Sequence, residues 1–552
     1  MAPTVYDHII VGGGLVGCVV ASRIKQYKPD ATVLVIEAGS DTRGRTDILQ
    51  PQTLNLGGEL DWQFQTEPMP TAFNRTLVYN QGKALGGGSC INSGGWIRGN
   101  ATEFDEWAES VGDERWSYKG QLPYFKKCER WFNSKNPEQH GTDGPIHISS
   151  VSSTGRKFPL GQAIADAWEE IGVHALPDLD QNTGNNIGRA EVCEGRREGK
   201  RQWSASAYSL EGVDILTDTL AKRVVLKRDG TTETPKATGV EVVDGTVYSG
   251  KNIIVSAGAF KTPQLLMLSG VGPSAHLKDV GIEPLVDLPE VGQGLHDHMS
   301  LFQHWRLRES NAGYVLGSAN PLFQQPEFAL GVPLDWLACA DVDKKGLAEA
   351  IQKDVGSASD AAKHPLVTTP RAMLEMFVMH MKLPFPGIAM DADHVTSDVA
   401  TFLPTSRGTI TLRSADAKDP PKINLNYLAT EADKYVYREG LRKITKLMLA
   451  TEFGKKYIAG ESVPEGFGLE PLSLDDSDEK LDKRAALTGA MTWHPAGSCA
   501  MGKVLDSELR VRGVDGLRVA DASVFPVPLS AHLQAPLYAL AEQAAAIFAG
   551  VA

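Results

Sequence analysis

The chain of 552 residues carries 55 basic and 68 acidic side chains, a formal net charge of −13. No basic patch stands out, which argues against nucleic acid and membrane surfaces as partners. Apolar residues make up 42% and charged residues 22%, an ordinary globular composition in a chain too long for one core, so at least two domains are expected.

Six cysteines, Cys18, Cys90, Cys128, Cys193, Cys339 and Cys499, form no C-x-x-C pair and read as reduced thiols. The opening "YDHIIVGGG" is already strand and turn, so no secretory leader is read there. No apolar run reaches the ~18 residues of a membrane span. An intracellular location is the expectation.

The stretch "HIIVGGGLVGCVVASRI" reads as an apolar strand, a glycine turn and a helix. Gly12, Gly14 and Gly17 give G-x-G-x-x-G. In that pattern the first glycine permits the turn, the second admits a pyrophosphate, and the third lets helix and strand pack closely. The next strand, "TVLVIEAG", ends at Glu37, 37 − 12 = 25 residues after Gly12. A carboxylate there can accept hydrogen bonds from ribose hydroxyls. Residues 39–100 then lose the strand–helix alternation that a nicotinamide enzyme would continue. "GKALGGGSCINSGGWIRGN" is dense in glycine yet keeps Leu85, Ile91, Trp96 and Ile97, residues a flexible linker avoids. Ordered glycine backbone can lie flat against a large ligand, which suits FAD.

Strand, turn and helix recur at 251–272, and again at 516–548, where "LRVA" leads to Asp521. A helix is predicted to open at Pro536, a residue suited to a first helical position, with Leu537, Leu540, Ala541, Ala544 and Phe548 as its apolar stripe. The nucleotide domain is therefore expected to combine 1–150, 202–300 and 486–552. The segments 151–201 and 301–485 would form a second domain. "GSASDAAKH", 356–364, reads as a mobile loop.

"TWHPAGSCAMG" places His494 beside Pro495 and five positions before Cys499. A histidine in a structural turn, a metal ligand, a Cys–His pair and a general base are the readings open to it. His296 and His298 could seed a metal site, but no ligand set of matching spacing accompanies them, so no metal is expected. No G-x-S-x-G supports a hydrolase elbow. A neutral imidazole, with an unperturbed pKa near ~6.5, suits proton removal near neutrality.

Together these segments resemble the glucose–methanol–choline (GMC) flavoprotein oxidoreductases. "GKALGGGSCIN" is similar to the family's first signature, with Cys90 where Ser or Thr is usual, and "GAFKTPQLLMLSGVG" is similar to the second. "VGQGLHDH" resembles a further segment, with Gly294 where Asn is common, and "FLPTSRGTITLRSADAKDPPKINLNYL" resembles the start of the C-terminal region. "TWHPAGSCAMG" and "SAHLQAP" resemble the two active-site segments. The resemblance implies an α/β fold with a Rossmann-like FAD-binding domain and an α+β substrate domain on an antiparallel sheet.

It further implies His494 and His532 as the catalytic pair, with His494 taking or helping to place the alcohol proton. The His–His version resembles glucose and aryl-alcohol oxidases. The positions matching the FAD contacts are Gly12, Gly14, Gly17, Glu37, Ala38, Trp62, Gly82, Gly87, Ser89, Asn92, Ala221, Ala257, Asp521, Ala522, Gln534 and Ala535. Ile91 occupies the position of the histidine that links covalently to flavin in some members, so a non-covalent FAD is expected. The helix at Pro536 would face the negative charge near flavin N1 with its positive end. The expected partners are a small alcohol, primary and aromatic or otherwise apolar, and oxygen or another electron acceptor. The same fold hosts hydroxynitrile lyases and a photodecarboxylase, so a non-oxidative lyase, decarboxylase or cyclase is the alternative. His304, Trp305, Phe377 and Phe402 hint at an apolar, aromatic-lined pocket.

Overall fold

The computed structural model describes residues 5–50, 56–228, 234–384, 388 and 391–551. Its first sheet grows from the apolar strand Val5–Val11, which pairs in parallel with Val33–Ile36 and Val247–Val255. Asp214–Leu216 extends one side, and Leu517–Val519 pairs with Val247–Val255 on the other. Ala221–Lys227 and Lys236–Val242 add an antiparallel edge. Strands from the start, middle and end of the chain thus share one sheet. Val33–Ile36 is buried at every position, as expected for a parallel strand covered on both faces.

The helix Leu15–Tyr27 follows the first strand through Gly12, whose φ is +99°. The last helix spans Gln534–Ala549 and packs on it. This helix opens two residues before the expected Pro536, because the turn already closes at Leu533. Nor does it show a single apolar stripe. Nearly all of it is buried, as fits a helix covered on every side. Its buried Glu542 is neutralised by Arg23 at 2.7 Å and Lys127 at 3.0 Å.

The second sheet is antiparallel, in the order Ile458–Ser462, Met299–Leu307, His394–Thr401, Leu374–Met379, Trp336–Ala340, Gly188–Glu191. Ala490–Met491 pairs with the Met299–Leu307 strand. The register sorts the three central strands into two faces. Leu374, Met376 and Val378 stand opposite Thr401, Val399 and Ser397. This face receives the helix Glu431–Leu449, where a Cβ on Gly440 would lie 2.5 Å from Val399 Cγ1. The other face carries Ser300, Ala400 and Glu375 in one row and Phe302, Asp398 and Phe377 in the next.

The segment expected to be a mobile loop instead holds the short helix Ala358–Lys363, capped by the Ser357 side chain. Ser, Ala and Asp in "SASDAA" are cap and helix residues as readily as loop residues. Among the described residues no helix is long and apolar enough to cross a membrane.

Candidate active site

Between the two sheets lies a cavity of about 790 Å³. Sixteen of the eighteen site residues marked in the sequence line it: Gly12, Gly14, Glu37, Ala38, Trp62, Gly82, Gly87, Ser89, Asn92, Ala221, Ala257, His494, Asp521, Ala522, His532 and Gln534. Gly17 and Ala535 stand behind the wall. A Cβ on Gly17 would lie 2.0 Å from Gly12 O, so Gly17 serves the helix–strand contact. Ala535 is fully buried in the first turn of the last helix.

The residues present fit FAD. A Cβ on Gly14 would meet nothing closer than Gly87 Cα at 3.9 Å and Ser256 O at 4.0 Å, so its missing side chain leaves room inside the cavity. Gly14 also starts the helix Leu15–Tyr27 without a side-chain cap, leaving N–H groups for a phosphate. Glu37 accepts hydrogen bonds from Gly13 N–H at 2.8 Å and Gly39 N–H at 2.7 Å. Burial pushes its carboxyl up to about 7 against those bonds. It fastens the glycine turn, and each oxygen keeps acceptor capacity for a ribose hydroxyl. Asp521 likewise accepts from Gly258 N–H at 2.9 Å and Ser523 N–H at 2.8 Å. Trp62 is flanked by the ammonium groups of Lys83 at 4.9 Å and Lys261 at 4.7 Å. Asn92 donates to the Gln534 side chain, tying the glycine loop to the last helix.

The second wall carries ionisable side chains. The His494 and His532 rings stand 5.0 Å apart. His532 is clamped by Glu375, with Nε2 at 2.9 Å and 3.1 Å from its two carboxylate oxygens. Burial lowers the His532 ring, but the charge and hydrogen bond of Glu375 outweigh it and hold the ring above its ordinary value. A Cβ on Gly95 would lie 2.9 Å from His532 Nδ1, so a glycine is required behind the ring. Burial, with the neighbouring His532 and His298, holds His494 well below its ordinary value. The two rings are thus driven in opposite directions, His532 toward the charged form by Glu375 and His494 toward the neutral form by burial.

The loop bearing His494 is anchored by Asp297, which accepts from His494 N–H at 2.9 Å and Tyr79 OH at 2.6 Å. The Tyr427 hydroxyl binds the same carboxylate. Trp493, with φ +61°, stands 39% exposed beside the cavity and donates to Asn80 Oδ1 at 3.3 Å. His298 packs against His494, Nδ1 to Nδ1, at 3.0 Å, whereas His296 turns to Gly294 O at 3.2 Å. Cys499 is fully buried, and burial pushes its thiol far up, which removes it as a nucleophile.

Sequence reasoning missed Glu375, Asp398, Ser300 and Phe302, all on the cavity wall. A lone acid inside the apolar "LEMFVM" was the available signal for Glu375, since buried carboxylates occur where something pairs them. Phe377 and Phe402 line the cavity as expected. His304 and Trp305 do not: His304 bonds Thr396 Oγ1 at 3.1 Å, and Trp305 donates to Ser397 Oγ at 2.8 Å.

Family models described as GMC oxidoreductase match residues 6–300 and 404–541. The GMC-type oxidoreductase acuG of Aspergillus aculeatus is 39% identical over 546 residues, covering 98% of each chain. An oxygen-dependent choline dehydrogenase of Burkholderia vietnamiensis is 32% identical, covering 98% of this chain and 93% of its own. An Aspergillus oryzae formate oxidase structure superposes with a TM-score of 0.85 at 27% identity, covering 99% of this chain and 98% of its own. With both family regions present in order and a fold of matching extent, the chain belongs to the GMC oxidoreductases.

Proposed function

We propose that the protein binds FAD without a covalent link and oxidises a primary alcohol to the aldehyde. Bound FAD supplies the hydride acceptor. His494 takes the hydroxyl proton at Nε2, the nitrogen opposite the one held by the protein. His532, held above its ordinary value by Glu375, stands beside His494 and favours negative charge on the alcohol oxygen as the proton leaves. The observation that carries this reading is the pair of rings 5.0 Å apart on one cavity wall, with His532 held by Glu375 and His494 Nδ1 held by the protein.

The same wall favours an uncharged alcohol. Phe302, Phe377, Met379 and Phe402 supply apolar surface, with the Phe302 and Phe377 rings 6.4 Å apart. Glu375 is paired with His532. Burial, reinforced by Glu375, pushes Asp398 up to about 8 while Ser300 donates to it, so at neutral pH it is largely protonated. Among the described residues this wall therefore presents no unpaired carboxylate to attract a quaternary ammonium group.

The test is an anaerobic screen in which flavin absorbance is followed as alcohols are added. Benzylic and short aliphatic primary alcohols should bleach the flavin faster than choline, and readmitted oxygen should yield peroxide if oxygen is the acceptor. A protein that no alcohol bleaches, or that choline bleaches fastest, contradicts the proposal. Acid precipitation should release all flavin to the supernatant, since Ile91 offers no nucleophile and the Cys90 thiol is pushed up to about 12 by burial.

A further inference from the structure

His298 entered as half of a possible metal pair, and the proposed chemistry leaves it without a role. Its Nδ1 lies 3.0 Å from His494 Nδ1. Two N–H groups cannot face each other at that distance, and two lone pairs would repel, so one proton sits between two neutral rings. Which ring owns it follows from Thr492. The Thr492 hydroxyl lies 3.0 Å from the His298 carbonyl oxygen, to which it can only donate. The same hydroxyl lies 3.2 Å from His494 Nδ1. Its proton is already committed, so toward His494 it can only accept. The proton between the rings therefore belongs to His494. A neutral His298 that accepts at Nδ1 carries its own proton on Nε2, the nitrogen away from His494.

We propose that His298, backed by Thr492, is a positioning residue that locks His494 in the Nδ1–H tautomer. The His494 Nε2 lone pair is thereby left facing the cavity, where no partner meets it among the described residues. The inference rests on the reading of His494 as base, but the tautomer itself is measurable without turnover.

The direct test is ¹⁵N NMR of the FAD-loaded protein labelled at histidine, with the His494 signals identified by their loss in His494→Gln. His494 should show a protonated Nδ1 and a bare Nε2, and His298 the reverse. A bare His494 Nδ1 overturns the proposal. In His298→Ala the His494 nitrogens should move toward a tautomer mixture, and flavin reduction by alcohol should slow about five- to tenfold, the worth of one neutral hydrogen bond. An unchanged tautomer in His298→Ala also overturns it. Asn places an oxygen where His298 has Nδ1, so His298→Asn should restore most of the rate, whereas His298→Gln should not. Equal loss in Asn and Gln contradicts the proposal. If His494→Ala is reduced as fast as wild type, the base assignment fails while the tautomer measurement stands.

Discussion

The two walls of the cavity are built differently. The first-sheet wall works through main chain: the Gly12 turn, the open N-terminus at Gly14, and carboxylates such as Glu37 and Asp521 that hold backbone N–H groups in place. The second wall works through side chains, with Glu375 and Asp398 on neighbouring strands facing His532 and His494 on loops from the far end of the chain. A backbone site tolerates change wherever no Cβ intrudes and fails where one does. A side-chain site should lose rate while keeping its cofactor. Single substitutions should separate the two walls.

The largest effect is expected at Gly12. A Cβ there would lie 2.3 Å from Ser256 O on a backbone with φ +99°. Gly12→Ala should weaken FAD binding at least ~10²-fold, from ~3 kcal/mol or more of clash and strain, and absorbance of the purified protein should show little flavin. A fully yellow Gly12→Ala would remove the turn from the cofactor site. Next comes His494→Ala, which should slow anaerobic flavin reduction by ~10²-fold or more. In wild type that rate should hold well below pH 6.5 before falling, because burial keeps His494 neutral. A fall centred at pH 6.5 or above contradicts this assignment.

Glu375→Gln keeps an acceptor for His532 but removes the charge. The raised His532 value should fall, so its cation is lost at lower pH as pH rises, and the alkaline limb of flavin reduction should move down. At pH 8 the rate should drop about tenfold, from the ~1.5–3 kcal/mol of a charged hydrogen bond. An unmoved alkaline limb would separate Glu375 from His532. Glu37→Gln should act on the other wall, weakening FAD roughly tenfold by the same measure, read by titration of apoprotein with FAD, with little change in the reduction rate of the loaded fraction.

The sequence was more informative about the first wall than the second for a physical reason. Close packing of glycine backbone is local, so Gly12, Gly14 and Gly17 announce their geometry within six residues. The Pro-stiffened His494 turn and the His532 segment were legible for the same reason. Glu375 and His532 are 157 residues apart, and only the strand register brings them together. The strand His394–Thr401 is buried on both faces, so no alternation marked Asp398 as a wall residue. His298 stood in plain view within "HDH", yet two histidines at that spacing point to a metal as readily as to a neighbouring ring. Only the fold sets its Nδ1 against His494. The last helix lies where the sequence places it, but burial on all sides replaces the single apolar stripe expected of it.

Cofactor retention and proton removal should reside on separate walls. FAD content and anaerobic reduction rate should be measured on the same samples of wild type, Glu37→Gln and His494→Ala, with one alcohol that bleaches the wild type. Glu37→Gln should hold FAD more weakly but reduce what it holds at nearly the wild-type rate. His494→Ala should keep its FAD and lose ~10²-fold in rate. A His494→Ala protein that reduces its flavin as fast as wild type, or that loses flavin and rate together, would contradict the account.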